Sequence, residues 1–218
     1  MTRTELREWC EKVGIDVDKD GWDRIERLVG LWRQYGRAIN LVGGTDASVL
    51  YEHVQEALLG VGVVDRVLPE GETCRWVDVG SGGGLPALVV AAVRSWEMEL
   101  IEPRERRAAF LDLGLASVGR VGGRVVRGRW AGSTWNEKVF SGLESRGEVP
   151  FFVLSSRAVF SADRWMKEVS EAGITRGVVL CHVDSGVHHV GGREAGVEMA
   201  CSRWAVLGFP VGNVGQNA

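Results

Sequence analysis

The sequence predicts an α/β fold: a doubly wound sheet preceded by an N-terminal helical cap and closed by a C-terminal antiparallel hairpin. Three observations predict it. Apolar residues recur at helical spacing through roughly the first 65 residues. From Cys74 onward, short apolar runs alternate with helical periodicity, the pattern of βαβ units. Between the first apolar run and its helix stand four glycines in five residues, Gly80-Ser81-Gly82-Gly83-Gly84.

The helical part comes first. Leu6, Trp9, Cys10 and Val13 share one face of a helix over 4–14. After the polar turn 16–20, a second helix carries Trp22, Ile25, Leu28, Val29, Trp32, Tyr35 and Ile39 on its apolar stripe. A third spans 46–59, with Asp46 or Ser48 available as cap. Asn40-Leu41-Val42-Gly43-Gly44 is the joint between the last two. The expected division is a helical cap over 1–65 and a ligand-binding domain over 66–218, joined as one compact unit; 218 residues with 45 % apolar content suffice for one sizeable core.

The α/β part follows. Trp76-Val77-Asp78-Val79 reads as a buried parallel strand running into the glycines. There a positive φ and a close backbone approach to a ligand are possible without a Cβ in the way. Leu85 to Arg94 has a helical stripe with Pro86 in its first turn, and Met98 to Ile101 is a strand ending in Glu102, 18 residues after Gly84. A helix over 105–117, a strand at 124–126, a helical or irregular stretch over 133–145, a strand at 151–154, a helix over 162–172 and a strand at 178–183 continue the alternation. Two strand-like segments, 198–201 and 204–209, make the hairpin, and the last seven residues should fray.

Strand, glycine loop, helix, strand and acid form a Rossmann-like unit for a nucleotide or nucleoside. A dinucleotide fingerprint wants a third glycine at position 85; this chain has Leu85 there, and Asp78 two residues before Gly80. A carboxylate beside the loop repels a pyrophosphate and suits an ammonium. S-adenosyl-L-methionine offers that ammonium, a sulfonium, and ribose hydroxyls for Glu102 to accept from; a nicotinamide dinucleotide is the weaker alternative. Asp78, Gly80, Ser81, Gly82, Gly84, Leu85 and Glu102 are therefore the expected cofactor residues. Asp78 either faces the ammonium or holds the loop.

Charge and cysteine content narrow the class. A net charge of −3 argues against a wholly electrostatic nucleic-acid binder. Locally, however, seven arginines stand between Arg104 and Arg129 against only Glu105 and Asp112. That cluster is either a solvated helix face or a phosphate-contacting rim beside the pocket. Cys10, Cys74, Cys181 and Cys201 lie far apart and read as reduced thiols of a cytoplasmic protein, and neither an apolar leader nor a membrane-length run is visible. His182, His188 and His189 lack regular ligand spacing, so no metal is expected.

These residues resemble the GidB/RsmG family, methyltransferases that modify N7 of a guanine in bacterial small-subunit ribosomal RNA. The similarity runs over about 38–172: Asn40-Leu41, Glu52-His53, the string V-D-V-G-S-G-G-G-L-P-A, Leu100-Ile101-Glu102, Arg106 to Leu111, Gly128-Arg129 and Ser156-Arg157-Ala158. The resemblance implies an AdoMet-dependent methyltransferase sheet in which Gly80, Gly82 and Gly84 line the cofactor pocket and Glu102 binds the ribose. Arg129 and Arg157 then face the cofactor or the guanine and are the expected catalytic residues. It further implies a cytoplasmic monomer acting on small-subunit rRNA, with neither DNA nor membrane as partner. The alternatives are another RNA or a small molecule as substrate, or an AdoMet-binding module without catalysis. Arg157 could donate to guanine O6 or pair with a neighbouring acid; Arg129 could meet the base, a phosphate or only solvent. Trp130 could stack on adenine or sit in the core, and His53 could face the pocket or pack on its helix. The chain departs from the family where a strand-five lysine is usual and Leu180-Cys181-His182 stands instead, and where Trp130-Ala131 replaces an acidic residue.

Overall fold

Thr2 starts the first helix from both directions: its hydroxyl accepts from the Glu5 N–H, and the Glu5 carboxylate accepts from the Thr2 N–H at 2.7 Å. In this computed structural model the described residues are 1–41, 43–119, 122–130, 150–157, 159–172, 174, 176–182 and 204–208. Helix α1 (Arg3–Val13) ends at Gly14, whose left-handed φ of 73° lets its N–H reach back to the last turn. Helix α2 (Lys19–Tyr35) is capped by the Asp18 carboxylate and buries Trp22, Ile25, Leu28, Val29 and Trp32 along one face. Helix α3 (Ala47–Val67) runs a further two turns beyond the expected end. Gly60 and Gly62 look like breakers, but they lie where the helix is buried all round. A Cβ on Gly62 would stand 2.9 Å from Ile15 Cγ1, so the missing side chain makes room for the chain leaving α1.

The sheet strands are β1 (Cys74–Val79), β2 (Glu97–Ile101), β3 (Gly123–Val126), β4 (Phe151–Ser156), β5 (Gly177–His182) and β6 (Trp204–Gly208). Their order is β3-β2-β1-β4-β5-β6, parallel throughout except that β6 runs antiparallel to β5. The chain winds outward from β1 in one direction to β3 and, from β4, in the other. The topological switch therefore falls between the carboxyl ends of β1 and β4, where a crevice opens. The other expected hairpin segment, 198–201, lies outside the described residues, as do the stretch 133–145 and the C-terminal tail.

Alternate strand residues feed two apolar layers, as a period of two requires. Trp76, Leu100, Val153 and Leu180 face a large cluster built with α1, α2, α3, α4 (Ala87–Val93) and α5 (Glu105–Val118). Val77, Val79, Ile101, Phe152, Leu154 and Val179 face a smaller one with Trp165 and Val169 of α6 (Ala162–Glu171). The N-terminal helices thus share one core with the sheet. No helix among the described residues is long and apolar enough to cross a membrane.

Gly177 marks the tightest approach in the sheet. Its φ is 148°, and a Cβ there would overlap the Phe152 carbonyl oxygen on the adjoining strand. Gly177→Ala should therefore cost at least about 2 kcal/mol, since backbone must shift rather than a flexible side chain. Urea unfolding of the two proteins checks this.

Candidate functional site

The crevice at the switch point is floored by the glycine loop. Gly80 and Ser81 both donate their N–H to the Ile101 carbonyl, at 2.9 and 3.1 Å, which ties the loop to the end of β2. Gly80, Gly82 and Gly84 have φ of 74°, 54° and 83°, so three alternate residues adopt the left-handed region. Gly83 is required for a different reason: a Cβ on it would meet the Leu41 carbonyl oxygen at 2.5 Å. From the opposite side the Trp32 indole N–H donates to the Gly83 carbonyl at 2.7 Å, in a buried hydrogen bond. The loop is thereby gripped between the sheet and the helical cap.

Two buried carboxylates lie beneath it. Glu102 accepts from the Gly82 N–H through Oε2 and from the Arg104 N–H through Oε1, both at 2.9 Å. Asp78 Oδ1 accepts from Ser155 Oγ at 2.6 Å, and that hydroxyl in turn accepts from the Trp76 indole N–H at 2.7 Å. Asp78 Oδ2 is buried and has no hydrogen-bond partner among the described residues. Burial pushes the Asp78 carboxyl up to about 6, against the opposing pull of Ser155, Ser81 and the Arg157 charge; Glu102 adds a small further rise. The Ser81 hydroxyl donates to the Asp78 backbone carbonyl at 2.9 Å.

Above the loop opens a cleft of about 430 Å³ lined by Leu41, His53, Gly80, Ser81, Gly82, Gly83, Leu85, Arg107, Arg157 and Val159, with Gly43 at its margin. Arg157 follows β4 directly, at the carboxyl end of the strand. Its guanidinium donates to Glu56 Oε2 at 2.8 Å and to His53 Nδ1 at 3.2 Å, and the arginine and Glu56 side chains are only 21 % and 14 % exposed. Arginine carries donors only, so His53 Nδ1 is the acceptor. Val159, exposed on the loop after β4, leans over Gly80.

The expected residues divide into three groups. Gly80, Ser81, Gly82, Leu85 and Arg157 line the cleft, and His53 lines it too. Gly84, Asp78 and Glu102 lie behind it, Gly84 packed against Leu88. Arg129 and Trp130 are apart from it. Arg129 is exposed after β3, whereas Trp130 is buried edge-on against Trp165, with centroids 5.8 Å apart, in the smaller core cluster. Of the two places open to Trp130, the core one is where its ring lies, packed on Trp165. Cys181 is likewise buried in that cluster, and burial raises its thiol to about 11. Of His182 only the backbone is described; His188 and His189 fall outside the described residues.

Sequence reasoning missed Glu56, Ser155, Trp32 and Leu41. Glu56 had a signal, standing three residues after His53 and so on the same helix face. Ser155 had another: a hydroxyl inside an apolar strand must find a partner. The indole of Trp32 and the carbonyl of Leu41 had none.

Chemically, the cleft offers backbone groups of a glycine loop, two guanidinium groups and one imidazole. Among its described residues no hydroxyl or thiol is set against a general base: Ser81 is committed to the Asp78 carbonyl. Such a site suits binding and orientation rather than proton transfer.

The family model described as GidB, rRNA small subunit methyltransferase G, matches residues 22–180. The ribosomal RNA small subunit methyltransferase G of Wolinella succinogenes is 32 % identical over 121 residues, covering 53 % of this chain and 60 % of its own. That of Gluconobacter oxydans is 28 % identical over 152 residues, covering 69 % and 68 %. That of Nitrosospira multiformis is 31 % identical over 150 residues, covering 64 % and 66 %. The chain spans about half the length of several curated relatives that it matches. Among solved structures, a mutant of MtNAS aligns with a TM-score of 0.53 at 18 % identity, over 84 % of this chain and 71 % of its own. The same mutant in complex with S-adenosylmethionine aligns with a TM-score of 0.52 at 15 % identity, over 94 % and 77 %. These two alignments are likenesses of fold.

The buried Asp78 makes a pH prediction. Its carboxyl titrates at about 6 when folded against 3.8 as the ordinary value, so between these the folded state binds more protons than the unfolded one. Stability from this group is complete below pH 3.8 and is lost as pH rises through about 6. The unfolding free energy of the wild type relative to Asp78→Asn should fall across that window and stay level above it, measured by urea unfolding at a series of pH values.

Proposed function

Because the chain belongs to the GidB family, rRNA small subunit methyltransferase G, we propose that it transfers a methyl group from S-adenosylmethionine to N7 of a guanine in small-subunit rRNA. The observation that carries this reading is the coincidence of the family match with the site: residues 22–180 contain the glycine loop, Glu102, His53 and Arg157. A neighbour in fold was solved in complex with S-adenosylmethionine, which supports the choice of cofactor.

The residues present fit that group. Positive-φ glycines leave the loop backbone open to close contact. Glu102 spends one hydrogen bond on each oxygen, and a carboxylate has about four acceptor sites, so capacity remains for ribose hydroxyls. The unpartnered Asp78 Oδ2 provides negative charge beneath the loop for an ammonium, directly or through water. When bound, S-adenosylmethionine would supply an electrophilic methyl, for which the guanine N7 lone pair would be an acceptor with no proton to remove.

The protein's work is then orientation. Arg157, held by Glu56 and His53, presents a donor fork at the carboxyl end of β4, suited to guanine O6 and through it to the direction of N7. Arg129, exposed after β3 and away from the cleft, is available to the rest of the RNA. A second reading, another RNA or a small molecule as substrate, is favoured by the end of β5, where Leu180-Cys181-His182 stands in the stretch that usually carries the family's lysine.

Incubation of the protein with labelled S-adenosylmethionine and unmodified small-subunit rRNA should place label at a guanine N7. Arg157→Ala should lower kcat at least about 10-fold with the S-adenosylmethionine Kd little changed. Full-rate methylation by that variant would remove Arg157 from its role; label on another RNA alone would favour the second reading.

A further inference from the structure

Beside the cleft lies a second concavity, of about 490 Å³, between the joint that follows α2 and the first turn of α5. Ile39 and Asn40 form one wall, and Arg104, Arg106 and Arg107 the other. Arg104 and Arg106 are exposed, and neither forms an ion pair among the described residues. By contrast, Arg75, Arg94, Arg124 and Arg176 each stand against a carboxylate. Glu105, the one acid on the groove, is engaged by Arg127 at 3.4 Å. Three cations gathered in a concavity against one acid that is already engaged repel one another, and the arrangement is relieved by an anion.

Arg107 joins this groove to the cleft. It lines both, and its guanidinium donates to the Asn40 carbonyl at 2.8 Å, so the wall between them is a single hydrogen-bonded unit. A chain molecule lying in the groove can therefore continue into the cleft. Of the anions with that property, a nucleic-acid strand has phosphates outside its bases, which matches a cationic groove beside a cleft sized for a cofactor and a base. We propose that this groove holds the phosphodiester backbone of the RNA strand whose base enters the cleft, with Arg104 and Arg106 on the phosphates and Arg107 as the wall that sets the distance between backbone and base. The proposal rests on the rRNA reading above and adds to it the face through which the RNA arrives.

The test is fluorescence anisotropy of a labelled single-stranded oligonucleotide of small-subunit rRNA sequence, titrated with protein between roughly 50 and 200 mM salt. The Arg104→Ala/Arg106→Ala protein should bind more weakly whatever the sequence of the RNA. Its plot of log affinity against log salt should be shallower by about 1.4, from about 0.7 for each single-strand phosphate that is no longer neutralised. The charge-matched pair Arg33→Ala/Arg164→Ala, exposed on α2 and α6 with Arg164 paired to Glu168, should keep the wild-type slope. An unchanged slope in the groove variant, or an equal flattening in the matched pair, would overturn the groove while leaving the rRNA reading in place. A wild type that binds RNA without salt dependence, or not at all, would overturn both. Binding to anionic phospholipid vesicles that only the groove variant loses, with RNA affinity intact, would overturn the RNA assignment in favour of a membrane surface.

Discussion

The buried hydrogen bond from the Trp32 indole to the Gly83 carbonyl is the contact on which the site depends. A hydrogen bond of this kind adds only about 1 kcal/mol net, yet a buried carbonyl left without its donor costs about 1–3 kcal/mol. It works together with a steric constraint, because the Leu41 carbonyl sits where a Cβ of residue 83 would be. The loop and the helical cap can be this close only if residue 83 is glycine and residue 32 carries an N–H. The cap is thus more than a cover for the sheet: α2 holds the loop, the joint after it walls the cleft, and α3 brings His53 and Glu56 to Arg157.

Electrostatics beneath the loop follow from the same closure. Glu102 has a backbone donor on each oxygen, whereas Asp78 has one hydroxyl donor for two oxygens. Burial without full hydrogen bonding is the condition that raises a carboxyl's pKa, and it leaves Asp78 titrating at about 6. Ser155 keeps the group aimed, and the Trp76 indole keeps Ser155 aimed. Near neutral pH the ionised carboxylate beneath the loop favours a cationic ligand above it, while the guanidinium groups on the rim favour an anionic partner further out. Opposite preferences at two depths suit a site that takes a sulfonium cofactor inside and a nucleic acid outside.

The periodicities and the glycine string were enough to place the sheet and its switch point, because strand and helix signals there are local. Gly80, Ser81, Gly82, Leu85 and Arg157 were legible for that reason: each sits at the carboxyl end of a strand or just after it. Contacts across the core were not. Trp32 reads as one more apolar residue on a helical stripe, and its polar atom points to Gly83 only because of how α2 crosses the loop. Trp130 shows the converse. Next to an arginine at the end of a strand it reads as either a ligand contact or a core residue, because the sheet has two faces, and its ring turns toward the one covered by α6. Gly62 reads as a helix breaker until Ile15 is seen to occupy the space that a side chain would need.

The most direct measurement is hydrogen–deuterium exchange of the full chain with and without S-adenosylmethionine. A cofactor seated on the loop should slow exchange in peptides covering Gly80 to Leu85 and Glu102, with the Leu41 joint following because it touches Gly83. Binding that leaves those peptides unchanged and protects others would contradict the assignment of the cleft, and no protection anywhere at saturating cofactor would contradict the cofactor itself.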